Sequence, residues 1–211
     1  FLEWKTIYPL NEDEVTINKP QDTLLIGIFK KENLLDLIQN FIVFESVDGK
    51  LIKKFARYQQ FRAVNKTIDR LLTGKDSQDK SGVIWHTQGS GKSLTMMFMV
   101  REMRLKPELL SWKIVFVTDR TQLEEQLSET GGSIGFNIKT ANFINPKAQP
   151  NGQSLKELLA TDNSDLVMAM IHKFQENGDL SGLQIFPELN PSANILIMTD
   201  EAHRSQYSLL A

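Results

Sequence analysis

The sequence contains no cysteine, which excludes disulfide bonds, thiol nucleophiles and zinc sites built on thiolates. It has no apolar run approaching the ~18 residues that span a bilayer. A dominant charge is also missing, since 24 basic residues face 26 acidic ones and the net charge is −2. The 211 residues instead show a globular composition, 41% hydrophobic and 24% charged, which excludes whole-chain disorder, collagen and coiled coil. The length suits one α/β domain, or one domain and part of another.

Charge is distributed unevenly along the chain. Residues 1–48 hold four basic and nine acidic side chains, whereas residues 50–75 hold eight basic side chains and one acidic one, Asp69. We therefore predict an internal boundary at Asp48-Gly49, with a short mixed α/β connector over 1–48 and the main domain over 49–211. The basic stretch has two interpretations, a solvated helix face or a nucleic-acid contact. Because the sequence starts at Phe1 and stops at Ala211, we expect a longer polypeptide.

The hydrophobic pattern changes along the chain from mixed segments to a regular alternation of strand and helix. Before residue 75 it predicts a strand at 24–29 and helices at 34–42 and 57–72. Beyond residue 80 it predicts strands at 83–86, 113–118, 166–171 and 195–198, and helices at 92–106, 120–127 and 155–160. Residues 131–153 are rich in Gly, Pro, Asn and Gln and predict a long surface loop. This alternation favours an α/β fold with a parallel sheet and helices on both faces.

A glycine-rich segment joins the predicted strand at 83–86 to the following predicted helix. It reads Thr87-Gln88-Gly89-Ser90-Gly91-Lys92-Ser93. Glycines let successive backbone N–H groups turn towards one centre, and a helix N-terminus attracts anions, so the segment predicts a polyphosphate site. Lys92 would bridge the β- and γ-phosphates, and Ser93 would place its hydroxyl on Mg²⁺. The strict pattern has a glycine where this chain has His86, so the alternative is a Gly/Ser turn with an incidental lysine.

A second motif, Asp200-Glu201-Ala202-His203, follows the apolar strand predicted at 195–198. In a parallel sheet this position is the carboxyl edge, where the segment after Trp85 is also expected. Asp200 would hold Mg²⁺ through its water shell, and Glu201 would polarise the attacking water. The alternative is a helix N-terminus with favourable acidic residues. The order of the two motifs, each after a predicted strand, favours a nucleoside triphosphatase.

Three segments resemble the first RecA-like motor domain of superfamily 2 helicases and translocases. More narrowly, they are similar to the restriction (R) subunit of type I restriction-modification enzymes. The segments are 55–66, 83–93 with its Trp-His-Thr-Gln-Gly-Ser-Gly-Lys-Ser string, and 200–207 with its Arg-Ser-Gln-Tyr tail. The resemblance implies a RecA-like P-loop fold, ATP and Mg²⁺ as cofactors, and ATP-driven translocation on double-stranded DNA before cleavage. It also accommodates His86, because superfamily 2 motors commonly lack that first glycine.

Further roles are implied only by the resemblance. Gln60 matches a glutamine that reads the adenine edge, and Gln59 is the competing register. His203 matches the residue that links the ATP state to the DNA-facing side. The remaining DNA contacts would come from Arg120 at a strand end, and from His172 or Lys173 where the family's usual threonines are absent.

The resemblance also implies partners and a cellular context. These are the methylation (M) and specificity (S) subunits, a second RecA-like domain with an arginine finger, a nuclease domain before Phe1, and the cytoplasm. Two other classes stay open: another superfamily 2 DNA helicase or remodeller without a nuclease, and a degenerate nucleotide-binding scaffold without catalysis. The intact Lys92, Ser93, Asp200 and Glu201 argue against the scaffold. We expect the chain alone to bind ATP·Mg weakly and to hydrolyse it very slowly.

Overall fold

The structure of the protein is a computed structural model that describes residues 4–17, 19–47, 49–87, 89–118, 121–140, 155–170, 188–200 and 202. The chain forms two compact units, an N-terminal unit of residues 1–106 and a C-terminal unit of residues 107–211. Among the described helices, none combines the length and the apolar character that crossing a membrane requires.

The N-terminal unit is mostly helical. A short 3₁₀ turn at Glu12–Glu14 precedes α1 (Pro20–Phe29), α2 (Lys31–Asn40), β1 (Ile42–Val47), β2 (Lys50–Phe55), α3 (Tyr58–Thr73), α4 (Ser77–Lys80) and α5 (Lys92–Leu105). Strands β1 and β2 form an antiparallel hairpin, and Gly49 adopts a φ of 74° in its turn. Gly49, one of the two residues at the predicted boundary, therefore lies in this turn. The division into a connector and a main domain stays a prediction.

The strand predicted at 24–29 is wrong, because these residues belong to helix α1. A short apolar run fits a buried strand and a buried helix equally well, so flanking residues decide. Pro20 occupies the first helical turn, and the Lys19 N–H donates to Asp22 Oδ2 at 2.9 Å. Gly27 lies so close to the preceding segment that a Cβ there would stand 2.1 Å from the Thr6 carbonyl oxygen. Helix α1 therefore packs closely on the residues before it.

The helix predicted at 34–42 is confirmed as α2, although it ends at Asn40 and Ile42 opens the missed strand β1. The predicted helices at 57–72 and 92–106 correspond to α3 and α5. Their contact forms the core of this unit, where the rings of Phe41 and Phe61 lie 5.0 Å apart and those of Phe41 and Phe98 lie 5.2 Å apart. Burying these rings gives the helices a stability that their local propensities lack.

The strand predicted at 83–86 is also wrong, because the structure places no strand there. Val83 and Trp85 are each 89% exposed, against the expectation of a buried segment. A strand needs a neighbour to satisfy its backbone N–H and C=O groups. In the described part of the N-terminal unit, β1 and β2 pair with each other, and residues 83–86 pair with neither. Apolar composition alone therefore did not make this segment a strand.

The C-terminal unit is an α/β layer. It contains β3 (Lys113–Thr118), α6 (Thr121–Ser133), β4 (Ile138–Thr140), α7 (Leu155–Ala160), β5 (Leu166–Met170) and β6 (Ile195–Thr199). The sheet has the strand order β4-β5-β3-β6, and every pairing is parallel. The predicted α/β class with a parallel sheet flanked by helices is thus confirmed. Helix α6 is longer than predicted, and β4 lies where a loop was expected.

Both faces of the central strands are buried, as their nearly continuous apolar runs require. On one face, Leu155 and Leu158 of α7 pack against Val115, Val167 and Ala169. On the other face, Ile114, Phe116 and Met168 are buried as well. The two central strands, β3 and β5, are therefore buried on both faces.

One lysine is buried at the amino end of this sheet. Lys113 is 2% exposed, and its ammonium group donates to the Leu158 carbonyl and, at 2.9 Å, to Thr161 Oγ1. Burial lowers the pKa of Lys113, and the nearby Asp165 opposes that shift. The ammonium group of Lys113 stabilises the C-terminal end of α7 by donating to one of its last backbone carbonyls. Its position at the start of β3, away from the carboxyl edge, gives Lys113 a structural role.

Candidate nucleotide-binding site

The glycine-rich segment forms a tight loop that ends at the first residue of α5. The Ser90 N–H donates to the Thr87 carbonyl at 3.2 Å, which closes a turn within the loop. Lys92 and Ser93 then occupy the first turn of α5, where the helix dipole favours an anion. The loop therefore leads directly into a helix N-terminus, a context that suits a phosphate group. Gln88 lies outside the described residues.

Two glycines give the loop its curvature for different reasons. Gly89 has a φ of 74° and open space around it, so only its left-handed backbone requires glycine. Gly91 has a φ of 84°, and a Cβ there would also lie 2.8 Å from Gln60 Nε2. Ser90 lies between them, and its buried hydroxyl oxygen has no hydrogen-bond partner among the described residues. An unpartnered hydroxyl beside a helix N-terminus fits a phosphate oxygen.

Gln60 connects α3 to this loop. Its side-chain oxygen accepts a hydrogen bond from the Arg57 N–H at 2.8 Å, at the start of α3. Its side-chain nitrogen donates to the Gly91 carbonyl at 3.0 Å and more weakly to the Ser90 carbonyl at 3.5 Å. Gln59 is exposed, so the structure brings Gln60 and not the side chain of Gln59 to the loop. The role of Gln60 in reading adenine stays a prediction.

Sequence reasoning missed two further neighbours of the loop. The Thr95 hydroxyl and N–H both donate to the Gly91 carbonyl at 3.0 Å. The sequence signal for the first bond is a threonine in a helix, because its hydroxyl can donate to the carbonyl four residues before it. Desolvation by burial lowers the pKa of His86, and the positive charge of Lys92 lowers it further. A hydrogen bond with the Gln59 main chain acts in the opposite direction. A neutral His86 therefore lies beside the loop at neutral pH.

Asp200, the first residue of the acidic motif, lies at the carboxyl edge of the sheet in the C-terminal unit. Strand β6 ends at Thr199, and the Asp200 N–H donates to the Val117 carbonyl of β3 at 3.0 Å. Since all four strands are parallel, their carboxyl ends share one edge, and Asp200 lies there with Thr118. This is the edge at which open α/β sheets bind ligands. A carboxylate in this position is suited to a hydrated Mg²⁺.

The other predicted site residues lie outside the described part of the chain. These are Arg120, His172, Lys173, Glu201 and His203. Their proposed roles therefore stay predictions.

A glycine-rich loop that leads into a helix, and a carboxylate at the carboxyl edge of a parallel sheet, are each typical of the P-loop nucleotide-binding proteins. The profile of the SWI2/SNF2 ATPase family matches residues 59–211. The chain belongs to this family of superfamily 2 motor domains.

Among known proteins, the chain is similar to endonuclease subunits of type I restriction enzymes. It is 38% identical to the HindI subunit of Haemophilus influenzae over 98% of this chain and 19% of that protein. It is 36% identical to the putative MjaIXP subunit of Methanocaldococcus jannaschii over 90% of this chain and 17% of that protein. A putative MpnIIP subunit, C-terminal part, of Mycoplasma pneumoniae is 29% identical over 84% of both chains. The chain thus spans about a fifth of the length of the first two relatives.

Proposed function

We propose that this chain is the ATP-hydrolysing motor part of a type I restriction enzyme endonuclease subunit, which translocates double-stranded DNA before cleavage. The carrying observation is a phosphate loop with two left-handed glycines at the start of α5, in a chain whose relatives bear that subunit name. The family assignment supports ATP use. The names of the relatives support DNA cleavage, and DNA travel is what the resemblance to type I restriction subunits implies.

The proposed chemistry is phosphoryl transfer, in which a protein supplies position and charge. Lys92 would neutralise the developing charge on the β- and γ-phosphates. Ser93 and Asp200 would hold the Mg²⁺ that accompanies ATP, Ser93 through its hydroxyl and Asp200 through the water shell of the ion. Glu201 would orient the attacking water. The loop segment 87–91 would supply N–H donors to the phosphate oxygens.

The partners follow from the same proposal. Duplex DNA would be held through its phosphates without regard to sequence, by Arg120 and by His172 or Lys173. His203 would link the ATP state to the DNA-facing side. Methylation and specificity subunits would complete the complex, and sequence recognition would belong to the specificity subunit. A second RecA-like domain would supply an arginine finger, and a nuclease domain would cut. The cytoplasm is the compartment where such an enzyme meets ATP and DNA together.

The proposal is tested by measuring ATP hydrolysis and DNA travel in the complete protein that carries this chain, assembled with its partner subunits. We expect duplex DNA to stimulate hydrolysis and the complex to displace a triplex-forming strand placed far from its recognition site. Hydrolysis and displacement without any DNA cleavage would favour a helicase or remodeller. Nucleotide binding without turnover would favour a non-catalytic scaffold. Fast turnover would need the arginine finger of the second RecA-like domain.

A further inference from the structure

We infer that Gln60 is a positioning residue that fixes the shape of the phosphate loop for triphosphate binding, whichever base the nucleotide carries. This inference rests on the proposed nucleotide site and adds a role to the one implied for Gln60 by resemblance. Gln60 is 3% exposed, and its amide bridges the start of α3 and the end of the loop. A buried amide with partners on both sides has one defined orientation, which is what a positioning group needs.

The first turn of α3 contacts both ends of the loop. At the entrance, His86 forms a hydrogen bond with the main chain of Gln59. At the exit, Gln60 Nε2 donates to the carbonyls of Gly91 and Ser90. Residues 83–86 belong to no strand, so no backbone ladder holds the entrance of the loop in the described N-terminal unit. Helix α3 therefore holds the loop by a few specific hydrogen bonds.

The Gly91 carbonyl is the point on which these bonds converge. It accepts from Gln60 Nε2, the Thr95 hydroxyl and the Thr95 N–H, each at 3.0 Å. Thr95 holds this carbonyl from within α5, and Gln60 is the partner that holds it from outside that helix, on α3. The direction of the N–H groups on either side of Gly91 follows from the same backbone torsions. Gln60 thereby sets the donors that a phosphate would meet.

For Gln60, hydrogen bonding to the loop competes with hydrogen bonding to an adenine base, because both would use the same side-chain N–H groups. The N–H groups of Gln60 that would donate to an adenine acceptor already donate to the loop carbonyls. If Gln60 only read the base, removing its side chain would weaken the binding of ATP and leave the binding of base-free triphosphates unchanged. If Gln60 positions the loop, removing its side chain would weaken the binding of every triphosphate by a similar factor. The two roles therefore differ in a measurable way.

The experiment compares Gln60→Ala, Gln60→Glu and the matched control Gln59→Ala in the complete protein. Binding of ATP, GTP and inorganic tripolyphosphate is measured by calorimetry. We expect Gln60→Ala to weaken all three by about tenfold, the equivalent of one lost hydrogen bond. Gln59→Ala should leave all three unchanged, because that side chain is exposed at the helix surface. Selective loss of ATP in Gln60→Ala would overturn the inference and leave base reading alone.

A second measurement needs no nucleotide. Glutamate at position 60 keeps the oxygen that accepts from the Arg57 N–H, so α3 retains its start while the donor to the loop is lost. We expect hydrogen exchange of amides 89–93 to quicken in Gln60→Glu and Gln60→Ala, with unchanged exchange in the C-terminal half of α3. Exchange as slow as in the wild type would overturn the inference even if the variants bind nucleotides poorly. If the wild-type protein binds none of the three triphosphates, the proposed function fails, and exchange still decides the role of Gln60.

Discussion

The phosphate loop and the carboxyl edge of the sheet are held in place by different kinds of interaction. The loop depends on single hydrogen bonds, chiefly those from Gln60 and Thr95 to the Gly91 carbonyl. The sheet edge depends on three parallel ladders and an apolar core, with Asp200 fixed by its own N–H to Val117. A loop held by few hydrogen bonds is sensitive to the loss of each one. In a sheet, the loss of one hydrogen bond leaves many others between the same strands.

This difference teaches where function is vulnerable. A single atom added in the loop should disturb nucleotide binding with modest effects on stability. A change in the sheet should disturb stability and reach the site only through unfolding. Four predictions test this contrast, in order of decreasing expected effect on nucleotide turnover and binding.

The largest effect is expected for Lys92→Ala in the complete protein. Removal of the ammonium group takes away the charge that would neutralise the transferring phosphate, so DNA-dependent ATP turnover should fall about 100-fold or more. Steady-state hydrolysis measures this, with Lys19→Ala on an exposed segment as the control. Turnover equal to that of the wild type would remove Lys92 from its proposed role.

The next effect concerns the two loop glycines. Gly91→Ala places a Cβ 2.8 Å from Gln60 Nε2 at a φ of 84°, so we expect nucleotide affinity to fall more than about tenfold, the equivalent of a ~1.4 kcal/mol change. Gly89→Ala meets open space and bears only the left-handed strain, about 1 kcal/mol. Calorimetric titration with ATP compares the two. Equal losses would mean that backbone strain alone governs the loop.

In the sheet, Lys113→Met should reduce stability and leave the intrinsic affinity for ATP unchanged. It removes the buried donor to the Leu158 carbonyl and Thr161, and we expect a loss of about 2–3 kcal/mol in the free energy of unfolding. The matched control is Lys139→Met, whose ion pair with Asp165 is partly exposed and should be worth less than about 1 kcal/mol. Urea denaturation measures both. An equal cost for the two lysines would contradict the capping role of Lys113.

The smallest expected effect is a pH dependence in α5. Glu102 is 3% exposed, and burial, with Asp36 beside it, raises its pKa from 4.5 to about 7. The folded protein therefore keeps this proton while the unfolded chain has lost it, so this group makes stability fall as pH rises from about 4.5 to 7.

Glu102→Gln removes that titration and should stabilise the protein by about 1–3 kcal/mol at pH 8, with a smaller difference at pH 5. Thermal unfolding at the two pH values checks the sign, and Glu108→Gln at an exposed position is the control. A larger gain at pH 5 than at pH 8 would show that the buried carboxyl is not protonated in the folded state.

Much of the fold was predictable where local and global preferences agree. Helices α3 and α5 and strands β3, β5 and β6 have long or strongly apolar patterns and were predicted. The hairpin of β1 and β2 was missed, although the Asp48-Gly49 turn signal lies between two short apolar segments. The strand at 24–29 was mispredicted because a six-residue apolar run does not distinguish helix from strand.

The candidate site was predictable in part. The residue types of the phosphate loop, and Asp200 after a strand, followed from the motifs. The hydrogen bonds of Gln60 to the loop did not, because they join residues 30 and 31 positions apart in the sequence. No local pattern encodes such a contact. The neutral state of His86 could not be predicted from the sequence either, because its pKa depends on burial and on the charge of Lys92.

By itself the sequence determined the glycines, lysine and carboxylates of a triphosphate site, their order, and an α/β pattern for the second half. These properties are local, so the chain carries them before it folds. Tertiary structure alone decided that residues 83–86 form no strand, that Lys113 is a buried helix cap, and that Gln60 faces the loop. Those outcomes depend on which distant groups become neighbours, and hydrogen bonds and desolvation act only once neighbours have met.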